Sequence, residues 1–128
     1  MKKVFIDSNI IIRLIVKDEL NQLRKAQQLI KQIEDDKLQG VLSILVVNEI
    51  IWILEHYYDL QREKYIPFLL KLMSLKNIKI FEAKKDVIID TLRRMRKQKF
   101  DFTDIYLAHV TTQEKIFSFD KDFKKLFK

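Results

Sequence analysis

The chain has no cysteine, a single glycine and a single proline among its 128 residues. Without thiols there is no disulfide, no thiolate zinc site and no redox motif, so stability has to come from an ordinary apolar core. Having only Gly40 and Pro67 removes the usual punctuation of tight turns and favours a helix-rich chain. No Gly-x-x-x-x-Gly-Lys loop, Gly-x-Gly-x-x-Gly turn or Gly-x-Ser-x-Gly elbow occurs, which excludes glycine-loop nucleotide binding and serine-elbow hydrolysis. The two histidines, His56 and His109, have no partner at ligand spacing and read as structural or surface residues. No apolar run approaches the roughly 18 residues of a membrane span. The opening Met1-Lys2-Lys3 is followed by Asp7, Asn9 and Arg13, not by the unbroken apolar core of a secretory signal. The expected location is the cytoplasm.

What the chain does have is charge and aliphatic bulk. Hydrophobic residues make up 48% and charged residues 34%, a globular composition, and residues 1–128 fit one domain. Lys and Arg number 25 against 18 acids, a formal net charge of +7. Such a balance favours a polyanionic partner such as nucleic acid, although a lysine-rich solvated surface would give the same total. Apolar runs predict short strands at 4–6, 41–44, 78–81 and 115–118. Helical spacing predicts helices at about 21–36, 46–58, 62–75 (with Pro67 inside), 86–99 and 102–113, and a last turn or short helix at 123–126. Strands alternating with helices predict an α/β fold with a parallel sheet flanked by helices.

Several acids stand at the ends of these elements. Asp7 follows the first strand, in Val4-Phe5-Ile6-Asp7-Ser8-Asn9. In open α/β sheets that lip is where ligands bind. Asp7 could cap the next helix, and equally Asp-Ser-Asn offers three side-chain oxygens for a metal and its surroundings. Glu49 is embedded in Leu45-Val46-Val47-Asn48-Glu49-Ile50-Ile51-Trp52-Ile53-Leu54, where large apolar neighbours favour an inward-facing carboxylate over a solvent stripe. Asp101 and Asp104 open a helix in the manner of a capping arrangement. Asp104 also shares its face with Leu107 and Ala108, which points it toward the interior. Asp120 ends the 115–118 segment and is favoured over Asp122, two residues on; both could instead be surface turn acids.

Converging carboxylates raise one another's pKa unless a cation joins them. An all-oxygen donor set selects Mg2+ or Mn2+ over zinc. A receiver-type acidic pocket fits less well, because only one acid follows the first strand and Phe81-Glu82 follow the third. The helix around Val46–Leu54 is more apolar than one core-facing stripe requires. It is either a fully buried central helix or a dimer or partner interface.

Four elements, in order along the chain, resemble the PIN-domain family, and particularly the VapC-type toxins of prokaryotic toxin–antitoxin modules. They are the strand with Asp7-Ser8-Asn9; Ser43-Ile44-Leu45-Val46-Val47-Asn48-Glu49; Asp101-Phe102-Thr103-Asp104-Ile105-Tyr106-Leu107-Ala108; and Ser118-Phe119-Asp120-Lys121-Asp122-Phe123. The chain departs from the family at Gln113-Glu114-Lys115, where many relatives carry glycine, and at Ala108-His109-Val110-Thr111, where they are richer in alanine. The resemblance implies a three-layer α/β/α sandwich with a central parallel sheet of four or five strands. It implies a Mg2+- or Mn2+-dependent ribonuclease with Asp7, Glu49, Asp104 and Asp120 as the acidic quartet and Asn9 and Ser118 as supporting polar groups. It also implies a homodimer and a cognate antitoxin. The alternative is a PIN-like RNA- or protein-binding module without turnover. The Arg93-Arg94-Met95-Arg96-Lys97 run is either an RNA-steering surface or a solvated helix face.

Overall fold

A computed structural model describes residues 1–127. Three short strands, β1 (Lys2–Phe5), β2 (Leu38–Leu42) and β3 (Ile78–Ile80), pair in parallel in the order β1-β2-β3. The register sets Val4 against Gly40 and Gly40 against Ile78. Between β1 and β2 the chain makes α1 (Ser8–Val16) and α2 (Leu20–Glu34); between β2 and β3 it makes α3 (Ile44–Trp52) and α4 (Arg62–Met73). After β3 come α5 (Lys85–Lys97), α6 (Phe102–Val110) and α7 (Asp122–Leu126). The result is the expected α/β fold, a parallel sheet flanked by helices.

Two alternating faces follow from the period of a strand. One face carries Ile6, Gly40, Leu42 and Ile78 into the core, joined by Ile11, Ile33, Val47, Ile50, Leu69 and Ile88 from the helices. On the other face Phe5 and Phe81 meet edge to face, with ring centroids 5.4 Å apart, over the buried Val41. Lys3, Gln39 and Lys79 complete that surface.

The sheet has three strands where four or five were expected. Residues 115–118 do not form the anticipated strand: Gln113–Lys115 is a 3-10 turn, and 116–119 run on without strand pairing. An apolar tetrapeptide carries the propensity for a strand but cannot supply its partner. β1 is consequently an edge, and its Lys2 and Lys3 guard it with charge.

The helix expected at 46–58 is split. α3 ends at Trp52, and the chain widens into a π-helical turn over Ile53–Tyr57. Its side chains are divided: Val47, Ile50, Ile51 and Leu54 are buried, whereas Leu45, Trp52 and Tyr57 are exposed. α4 runs through Pro67, which lies on its exposed side, so the proline ring takes up no core space.

Candidate functional site

The candidate acids sit just after β1 (Asp7), on α3 (Glu49), in the first turn of α6 (Asp104) and at the entry to α7 (Asp120 and Asp122). Ile6 is the last buried residue of the first strand region, and Asp7 then caps α1 by accepting a hydrogen bond from the Ser8 amide at 2.8 Å. Ser8, itself buried, donates its hydroxyl to Glu49 Oε1. That one bond ties the lip of β1 to the second turn of α3. Glu49 is exposed, not inward-facing as its neighbours suggested, because Val47, Ile50 and Ile51 occupy the core side of the helix. Asn9 is exposed next to Ser8.

α3 begins where Ser43 accepts from the Leu45 amide at 3.1 Å. Glu82, just past β3, completes the cap: it accepts from Ser43 Oγ at 2.6 Å and from the Ile44 amide at 2.9 Å. Those bonds, the Ser43 hydroxyl first, lower the Glu82 pKa below its ordinary value. The sequence did not single out Glu82, although its place after a strand is the same signal that marks Asp7.

α6 is anchored by the buried Phe102 and Ile105, which turns Asp104 along the flank of the helix into a half-buried position. Burial, then the charges of Asp101, Asp120 and Asp122, raise the Asp104 pKa. Asp120 and Asp122 lie on the turn entering α7, where Ser118 Oγ accepts from the Asp120 amide and Asp120 Oδ1 from the Asp122 amide, each at 2.9 Å. Asp104, Asp120 and Asp122 each bring a carboxylate oxygen within 4.8 Å of the others. Asp122, ranked behind Asp120 in the sequence, is thus part of the cluster, while Asp7 and Glu49 stand outside it as a pair joined through Ser8.

Three facing carboxylates with no cation among them repel, and oxygen-only donors are the chemistry that a hard divalent ion takes. The residues present therefore fit such an ion. The histidines lie elsewhere. His109 Nε2 is 2.7 Å from Asp90 across α5 and α6, and His56 stacks on Trp52.

Among the described residues no helix is long and apolar enough to cross a membrane. A family model described as PIN domain matches residues 4–128. Comparison with curated proteins and with solved structures gave no match.

Proposed function

The chain belongs to the PIN domain family, whose members are typically nucleases holding a divalent metal at an acidic cluster, and from that premise we propose that it is a metal-dependent endoribonuclease, the toxin of a type II toxin–antitoxin module acting in the cytoplasm. The observation that carries the reading is the meeting of Asp104, Asp120 and Asp122 within 4.8 Å beside the N-terminus of α6. We assign Asp7, Glu49, Asp104 and Asp120 as its catalytic and metal-holding quartet and add Asp122, which has a carboxylate oxygen within 4.8 Å of those of Asp104 and Asp120. Mg2+ or Mn2+, when bound, supplies Lewis acidity for hydrolysis of an RNA phosphodiester.

The protein's own part is placement and electrostatics. Ser8 holds Glu49 by its hydrogen bond, and Ser118 fixes the backbone that presents Asp120. Asn9 lines the same lip as Asp7. Arg93, Arg96 and Lys97 are exposed on α5 and bring RNA phosphates toward the acids, whereas Met95 is buried and Arg94 is drawn back toward the Leu126 carbonyl. An antitoxin helix would find an apolar cleft of about 370 Å3 between α1, α2 and α4, lined by Leu14, Ile30, Phe68, Leu72 and Leu75. A homodimer would cover exposed apolar side chains such as Leu45 and Val110.

The test is cleavage of single-stranded RNA with Mg2+, with Mn2+ and with EDTA, by the native chain and by Asp7→Asn and Asp104→Asn. Cleavage is expected only with metal, and to fall at least a hundredfold in both variants. Undiminished cleavage in EDTA, or in both variants, overturns the mechanism. A second reading rests on the separation of the Asp7–Ser8–Glu49 pair from the three-acid cluster: a PIN-like module that binds RNA or protein without turnover. Salt-sensitive RNA binding with no metal-dependent product would establish it.

A further inference from the structure

Trp52 is the only tryptophan in the chain, and at 58% exposure it contributes little to the core that Val47, Ile50, Ile51 and Leu54 already fill. It stands one helical turn beyond Glu49. His56 stacks on it with ring centroids 4.9 Å apart and planes 17° from parallel, and His56 Nδ1 lies 3.1 Å from the Trp52 carbonyl. The π-helical turn that starts at Ile53 carries His56, and such turns recur at functional positions.

Beside this aromatic pair a cavity of about 270 Å3 opens between the end of α3 and the start of α6. Ile51 and Phe102 give it an apolar floor, and Trp52 and His56 an aromatic wall. Asn48, Thr103 and Asp101 supply amide, hydroxyl and carboxylate groups around it. Asn48 and Thr103 are the chain neighbours of Glu49 and Asp104, so the cavity is built on the same two helices, α3 and α6, that carry two of the proposed site acids.

We propose that this cavity binds one unstacked nucleobase of a single-stranded RNA, seated against Trp52 beside the phosphate to be cut. A flat heterocycle with a hydrogen-bonding edge suits one aromatic wall and a polar rim, and stacking on an aromatic side chain is how proteins commonly hold unpaired bases. Among the described residues no lysine or arginine lines the cavity, and Arg62 behind it is already paired with Glu55 at 3.1 Å and lies 4.0 Å from Asp101. No free cation is thus offered to a phosphate, and the base is the part of the chain that enters. The identity of the ligand rests on the ribonuclease reading, whereas the stacking can be measured without turnover.

Because Trp52 is the sole tryptophan, the tryptophan emission of the intact protein comes from this side chain at the cavity wall. A single-stranded oligoribonucleotide is expected to quench it within the mixing time, before cleavage, and an RNA duplex of the same length is not. Trp52→Ala is expected to raise KM for RNA about ten- to a hundredfold with kcat within threefold. Trp52→Phe should restore most of that loss, and Tyr57→Ala, altering an exposed aromatic outside the cavity, should change neither constant. Metal-dependent cleavage with no quenching and an unchanged KM in Trp52→Ala overturns the base site and leaves the nuclease reading standing. Quenching without any cleavage keeps the base site and removes the nuclease. Equal quenching by the duplex, or emission that answers only to protein concentration, overturns the base site.

Discussion

At Gly40 the interior leaves no room for a side chain. A Cβ there would sit 2.8 Å from the Cδ1 atoms of Ile33 and Ile78 and 2.9 Å from that of Ile6. Three isoleucines would have to give way at once, so Gly40→Ala should lower the unfolding free energy by about 1–2 kcal/mol in urea titration, net of the backbone entropy it saves. No loss would mean the three side chains relax freely. Glu82 gives a pH signature instead. Its folded-state pKa lies below the ordinary 4.5, chiefly through the Ser43 hydroxyl. Its stabilising share is therefore complete above the ordinary value and disappears as pH falls through the lowered one. Glu82→Gln should flatten the acid limb of stability against pH; an unchanged limb would exclude this cap as its source. Individual acids were unevenly legible. The place of Asp7 at a strand end and of Asp104 in a first helical turn is written in local pattern. The inclusion of Asp122 depends on how residues 118–122 turn, and the exposure of Glu49 on which neighbours α3 buries. Neither is a local property.

Most helices were legible, because a periodic stripe needs only its own residues. α1 (Ser8–Val16) was not among those the spacing predicted, its three consecutive isoleucines at 10–12 masking the stripe. Leu23, Ala26 and Ile33 of α2, and Ile88, Leu92 and Met95 of α5, all reach the core from their expected spacing. The strand expected at 115–118 failed for the opposite reason: a strand exists only with a partner, and its apolar residues say nothing about whether one is free. The junction of α4 with α5 was also invisible, since it hangs on one side chain crossing between elements. Arg62 donates to the carbonyls of Met95 at 3.1 Å and Gln98 at 2.8 Å, closing the C-terminal end of α5. It also donates to Glu55 at 3.1 Å, which accepts from the hydroxyl of the fully buried Tyr65. Burial first, then this bond to Glu55, raise the Tyr65 pKa. Removing Arg62 strands two carbonyls and a partly buried carboxylate, so Arg62→Ala should cost about 2–3 kcal/mol. Arg62→Lys should recover little of it, because an ammonium lacks the fork that spans three acceptors. Faster amide exchange at the end of α5 in both variants is the accompanying readout. Protection equal to the native chain would rule the arrangement out.

At the scale of the whole molecule, one cluster of like charge would make a bound metal part of stability as well as chemistry. A net charge of +7 coexists with three carboxylates held within 4.8 Å of one another. Burial raises the Asp104 pKa most, and Asp101, Asp120 and Asp122 add to it, so ionising Asp104 works against folding. That penalty is complete above the raised value and shrinks as pH falls from there toward the ordinary one, opposite in sign to Glu82. Without divalent cation, Asp104→Asn should therefore match or slightly exceed the native chain, by roughly 0.5 kcal/mol after solvent screening. With cation the order should reverse. An ion that binds only the folded chain adds about 2.7 kcal/mol at a hundred times its dissociation constant, an increment that the variant largely forfeits. Thermal unfolding of both proteins, with Mn2+ and with EDTA, separates these effects in four curves. A native Tm that ignores Mn2+ would show that the carboxylates meet without holding an ion. An Asp104→Asn variant that gained as much from Mn2+ as the native chain would place the ion elsewhere, away from the N-terminus of α6.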